Sequence, residues 1–198
     1  MRELRIHGRG GQGAVIASKV LAAALFRDGQ SVQSFPAFGV ERRGAPVTAF
    51  LRFAKRPIRL RCEITAPDDL IVLDPTLVEA VNVTTGLKDG GLVLINSPRP
   101  PQSYADLASR YRVATVDANT IARDNKLGSR TQPIVNTAIL GAFAAATGLV
   151  LLDSVCAAIA DEVPIQTQAN TDAARQAAEA VLATSLPESD HVQSATHS

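Results

Sequence analysis

Leu4-Arg5-Ile6-His7-Gly8-Arg9-Gly10-Gly11-Gln12-Gly13-Ala14-Val15-Ile16-Ala17-Ser18 decides the fold. A short apolar run meets a glycine-dense turn, and a helix of small and apolar residues follows through Leu25. Strand, glycine turn, helix is the opening of a doubly wound α/β domain. The glycines let the backbone reach positive φ or approach a neighbour closely. The free N–H groups of such a turn, at the positive end of the helix dipole, favour a phosphate or carboxylate.

Gly8, Gly10 and Gly13 fit G-x-G-x-x-G. Dinucleotide binding also calls for an acidic residue about twenty positions on, to hold a ribose. The second strand, Ser31-Val32-Gln33-Ser34-Phe35, carries none; Asp28 comes too early and Glu41 too late. This speaks against a stand-alone NAD(P)-binding oxidoreductase, which stays as an alternative. A tight turn that packs helix on strand without any ligand also stays open.

Outward from that stretch, the chain alternates strand and helix signals. The first helix spans about 13–26 and closes near Asp28-Gly29. Residues 31–35, 47–53, 70–74, 91–96 and 112–117 read as strands. Residues 57–61 alternate apolar and basic, and would form an antiparallel hairpin with 47–53 around Ala54-Lys55-Arg56. Thr76 is placed to cap a short helix through Val81, and 104–110 reads as another. The last third is helical: 134–147, buried and a candidate subunit interface, then 152–162 and 168–182. The fold class is therefore α/β, a doubly wound, mainly parallel sheet with a short antiparallel excursion and a helical C-terminal third.

The 198 residues suit a single Rossmann-like domain over 1–184, with a polar, aperiodic tail at 185–198 expected to be disordered. Hydrophobic residues make up 46% and aromatics 4%, so aliphatics fill the core. A net charge of +1 argues against nucleic acid or membrane as general partners. No apolar run is long enough to span a bilayer, and Met1-Arg2-Glu3 does not read as a signal peptide. The two cysteines, Cys62 and Cys156, match neither a metal site nor a disulfide framework, which fits a cytoplasmic setting and no metal or iron–sulfur cluster on this chain.

Catalytic machinery is sparse. No Ser/His/Asp motif occurs, and of the three histidines His191 and His197 lie in the tail. His7, at the end of the first strand, reads as structural before catalytic. Three segments stand out instead. The glycine turn offers Gly8, Arg9, Gly10, Gly11, Gln12 and Gly13. The loop Phe38-Gly39-Val40-Glu41-Arg42-Arg43-Gly44-Ala45 offers two guanidinium groups, good phosphate clamps, at the same carboxyl edge of the sheet. Asn136, heading the helix 134–147, would satisfy buried backbone groups of a neighbouring loop or contact a ligand. Asp74 and Asp117 end strands at that edge, where helix capping also explains them.

Taken in order, Gly8-Arg9-Gly10-Gly11-Gln12-Gly13, Glu41-Arg42-Arg43-Gly44-Ala45 and Asn136-Thr137-Ala138-Ile139-Leu140-Gly141 resemble the gamma subunit of 2-oxoacid:ferredoxin oxidoreductases, over residues 4–182. The family includes the pyruvate, 2-oxoisovalerate, indolepyruvate and phenylglyoxylate enzymes. Arg43 departs from the pattern, standing where many relatives have a further glycine. The resemblance implies a chain inactive alone, with no catalytic residue of its own. Its partners would be alpha and beta subunits that bind thiamine diphosphate with magnesium, and an iron–sulfur subunit. The assembly would decarboxylate a 2-oxoacid oxidatively, make acyl-CoA, and pass electrons to ferredoxin or another acceptor. This chain would help hold coenzyme A through Gly8, Arg9, Gly10, Gly11, Gln12, Gly13, Arg42, Arg43, Gly44 and Asn136. A non-catalytic scaffold in the same complex is the remaining alternative.

Overall fold

The computed structural model describes residues 1–37, 44–60 and 62–184. β1 (Arg2–Arg9) alternates so that Leu4, Ile6 and Gly8 are buried on one face of the sheet. That face receives α1 (Ala14–Arg27), whose Ala17, Val20, Leu21 and Ala24 are fully buried. A stripe of small and branched residues lets the helix lie close on the strand. α1 ends at Asp28, and Gly29 at φ 79° turns the chain back.

The sheet has seven strands in the order β2-β3-β1-β4-β5-β6-β7. β2 (Ser31–Pro36) and β3 (Pro46–Ala54) complete one side of β1; β4 (Asp69–Val72), β5 (Leu92–Asn96) and β6 (Arg112–Val116) extend the other in parallel. β4 and β5 are buried along their whole length, as strands covered on both faces should be. β3 opposes both β1 and β2, and the two-residue β7 (Leu182–Ala183) opposes β6. The remaining strands share one direction.

The antiparallel excursion exists, but not as the hairpin expected. β3 pairs with β1 on one side and β2 on the other, so neither edge is left for 57–61. Residues 57–60 form no strand and Arg61 lies outside the described residues. Pro57 also lacks the N–H that a ladder needs. The segment instead lies near β2 and β3, its Ile58 and Glu63 carbonyls accepting from Gln33 and Arg52.

β4 ends at Val72, earlier than expected, and α2 (Leu77–Ala80) follows with Thr76 at its N-cap but no side chain capping it; Asp74 accepts the Thr76 N–H just ahead of the helix. Residues 104–110 form the end of a 3-10 turn (Pro101–Tyr104) and α3 (Ala105–Ala108). α4 (Ala118–Asp124) and β7 were not anticipated. α5 (Ala138–Thr147) begins later than residue 134, because the Ile134 N–H bonds to the Leu127 carbonyl and Pro133 pairs with Gly128 in a small antiparallel turn. α6 (Leu152–Glu162) and α7 (Thr167–Ala180) follow.

Ala138–Ala144 of α5 are buried within their own chain. α7 crosses α5 so closely that a Cβ on Gly141 would come 1.8 Å from the Ala174 carbonyl oxygen. One core joins α1 and α4–α7 to the sheet; a smaller one, around Leu70, Val72, Val93, Ile95 and Tyr104, covers the opposite face. No helix among the described residues is long and apolar enough to cross a membrane. The expected tail 185–198 lies outside the described residues.

Candidate functional site

β1 delivers the chain at the carboxyl edge of the parallel strands, where Arg9 to Gly13 turn it into α1. The turn closes with the Gln12 N–H on the Arg9 carbonyl at 2.9 Å. Gly11 at φ 97° and Gly13 at φ 80° take the left-handed backbone that side chains resist. A Cβ on Gly11 would meet nothing within 4 Å, so this face of the turn is open. No side chain caps the start of α1. Its first N–H groups are left for solvent or a ligand, with the dipole behind them.

The arginine loop meets the turn as expected, at the end that is described. Gly10 donates to the Ala45 carbonyl at 2.9 Å, and Gly44 donates to the Gly10 carbonyl at 3.0 Å. Arg42 and Arg43, with Glu41, lie outside the described residues.

Arg9 and Gln12 are used within the turn. The Arg9 Nε donates to Asp74 Oδ2 at 3.0 Å, its Nη1 to the Gly44 carbonyl at 3.2 Å and its Nη2 to Thr76 Oγ1 at 2.7 Å. Gln12 Oε1 accepts the Arg9 N–H at 2.7 Å, and its Nε2 donates to Asp74 Oδ2 at 3.1 Å. Asp74 Oδ1 in turn accepts the Thr76 N–H and hydroxyl. Partial burial alone would raise the Asp74 carboxyl. The hydrogen bonds from Thr76 and Gln12 and the Arg9 charge outweigh it, so the group lies below the ordinary carboxylate range. Asp74 is thus an anchor that holds the turn.

Asn136 is buried, and its Nδ2 would lie 2.4 Å from a Cβ on Gly13. It makes none of the backbone hydrogen bonds expected of it: its Oδ1 has no partner. The contact explains why position 13 holds glycine beyond its φ. Gly8 packs under Leu73, its virtual Cβ 3.2 Å from Cδ1. His7 has Nδ1 3.5 Å from Thr48 Oγ1, while Nε2 is buried without a partner. Burial, helped by the Arg5 charge, pushes its pKa down to about 4. Asp117 caps α4 by accepting the Thr120 N–H and hydroxyl.

A cleft of about 680 Å³ opens beside the turn. Gly10, Gly11, Gln12 and Gly44 form its near wall. The far wall is Asn119 and Arg123 of α4 with the 128–135 loop, including Arg130. No carboxylate is among the described residues that line it. Asn119 and Arg123 escaped sequence reasoning because α4 did, and Arg130 because nothing local ties its loop to the glycine turn. The spacing Asp117-x-x-Thr120, a cap ahead of a helix, was the available signal.

Residues 3–180 match the model of the family described as pyruvate ferredoxin/flavodoxin oxidoreductase. The chain is 51% identical over 182 residues to the pyruvate/ketoisovalerate oxidoreductases common subunit gamma of Pyrococcus abyssi, covering 90% of this chain and 96% of that one. The crystal structure of the pyruvate oxidoreductase subunit PORC of Thermotoga maritima superposes with a TM-score of 0.77 at 32% identity, covering 93% and 98% of the two chains. A 2-oxoglutarate:ferredoxin oxidoreductase of Magnetococcus marinus, solved with 2-oxoglutarate, coenzyme A and succinyl-CoA bound, shares the fold alone, with a TM-score of 0.67 at 19% identity over 90% of this chain and 31% of that one. Its matched residues and its fold show that the chain belongs to the pyruvate ferredoxin/flavodoxin oxidoreductase family, as a gamma-type subunit of an oxidoreductase complex.

Proposed function

We propose that this subunit works in a thiamine diphosphate-dependent 2-oxoacid oxidoreductase that forms acyl-CoA and CO2 and passes electrons to ferredoxin or another acceptor. Its own share is to seat coenzyme A and form part of the active-site wall. Thiamine diphosphate, magnesium and the iron–sulfur clusters belong to partner subunits, and thiamine diphosphate supplies the carbanion chemistry when bound. No residue of this chain is assigned a catalytic proton transfer or nucleophilic role.

The observation that carries the reading is the open face of the glycine turn at Gly11, which with Gly10, Gln12 and Gly44 lines a cleft with no carboxylate among its described residues. Backbone N–H groups and a helix dipole suit the diphosphate of coenzyme A. Gly8 and Gly13 keep the turn tight; Gly10, Gly11 and Gly44 keep its surface bare; Arg9, Gln12 and Asn136 hold its shape. Arg42 and Arg43 add charge from the neighbouring loop. The dinucleotide alternative loses ground, because β3 separates β2 from β1 and the end of β2 carries no acid.

The test is calorimetric titration of the assembled complex with coenzyme A, comparing Gly11→Asp with Gly11→Asn. Both introduce the same backbone strain, and only the first adds a negative charge. Gly11→Asp is expected to bind at least tenfold more weakly than Gly11→Asn. Equal affinities would end the coenzyme A reading and favour the scaffold, to which the internal use of Arg9 and Gln12 also points.

A further inference from the structure

We propose that Arg123 and Arg130 form a second anion seat, on the far wall of the cleft, which reads the ribose 3′-phosphate of coenzyme A. The site would thereby distinguish coenzyme A from its 3′-dephospho form. This rests on the coenzyme A reading above.

Three arginines are among the described residues that line the cleft, and they are not equivalent. Arg9 is neutralised by Asp74 and holds the turn. Among the described residues, Arg123 donates only to the uncharged Thr120 hydroxyl, at 2.9 Å. Arg130 is exposed and pairs with no described carboxylate. Among the described residues that line the cleft, the positive charge not already compensated therefore stands on α4 and the 128–135 loop.

The ligand carries two kinds of phosphate. The diphosphate oxygens are diesters with one charge per phosphorus, which backbone N–H groups accommodate. The ribose phosphate is a monoester that carries roughly −1.5 to −2 at neutral pH, by analogy with other phosphate monoesters. Such a group calls for guanidinium, which binds it through two parallel hydrogen bonds. The two phosphates are separated by a single sugar. A diphosphate at the open Gly11 therefore places the monoester within the same cleft of about 680 Å³, a volume ordinary for a site of this kind. Its far wall is where Arg123 and Arg130 stand.

The experiment is equilibrium binding of coenzyme A and 3′-dephospho-coenzyme A to the assembled complex, for wild type, Arg123→Gln and Arg130→Gln. Both side chains are exposed, so neither change opens the core. Wild type is expected to prefer coenzyme A. Each variant should lose about tenfold in affinity for it, the scale of one charge-assisted hydrogen bond, with little change for the dephospho form. Equal affinity of wild type for both ligands, or a preference that survives both substitutions, would overturn the proposal. So would equal weakening of both ligands, which would move the arginines to the diphosphate. If Gly11→Asp still weakens coenzyme A relative to Gly11→Asn, the underlying site stands and only the arginine assignment falls. If it does not, both fall.

Discussion

Arg9 and Asp74 meet at 3.0 Å between the ends of β1 and β4, the neighbouring strands from which the chain leaves toward opposite sides of the sheet. Open α/β sheets usually take their ligand in the crevice at such a point. Here Arg9, Gln12, Asp74 and Thr76 fill it with a hydrogen-bonded network. The usable opening is shifted toward α4 and the 128–135 loop.

Asp74→Asn should loosen this network. Loss of the charge from a half-buried pair is expected to cost about 1–2 kcal/mol at pH 7. The native carboxyl is depressed, so its contribution is complete above the unfolded value near 4 and disappears as pH falls through the lower native value. Urea unfolding midpoints from pH 7 to pH 3 should fall less steeply in the variant than in wild type. Parallel curves would show that Asp74 does not stabilise the turn.

His7 predicts a different pH window. Its pKa is lowered to about 4 from an unfolded value near 6.5, so between those limits the unfolded chain binds more protons than the native one. Stability should therefore decline as pH drops from 6.5 to 4, by up to roughly 3 kcal/mol. His7→Gln should flatten that slope and leave the Asp74 limb below it intact. Chemical denaturation at half-unit pH steps separates the two.

Gly13→Ala should be destabilising by about 2–3 kcal/mol, from positive φ and from contact with Asn136. Asn136→Ala in the same chain removes the amide that lies 2.4 Å from the new methyl group. The double variant should recover part of the loss and retain about 1 kcal/mol of backbone strain. A double-mutant cycle on thermal unfolding gives the coupling; strict additivity would refute the contact.

Gly141→Ala tests the α5–α7 crossing. The added methyl would press on backbone at the Ala174 carbonyl, which cannot rotate away as a side chain can. A loss of about 3 kcal/mol or more is expected, seen as a drop in the calorimetric Tm. An unchanged Tm would mean that the helices separate without cost.

Local rules carried much of the architecture. Residues 4–18 announced strand, turn and helix, because alternation, glycine and small apolar residues act within a few positions of one another. The helix ends at Asp28-Gly29 and Gly148, and the apolar strands around Leu70 and Val93, follow from the same short-range chemistry. The resemblance carried by the glycine turn and the Asn136 segment pointed to the family that the comparisons established.

Tertiary structure alone decided what lies between those elements. The insertion of β3 beside β1 depends on hydrogen bonds between residues more than forty positions apart, such as His7 with Thr48. Arg9 looked available for an anion until Asp74, sixty-five residues on, was folded against it. In the sequence Asn136 reads as a backbone partner ahead of a ligand contact, and only packing laid it over Gly13. The cleft wall of Arg123 and Arg130 follows the same logic. A charge is local, but whether it is already neutralised depends on distant neighbours that no short stretch of sequence contains.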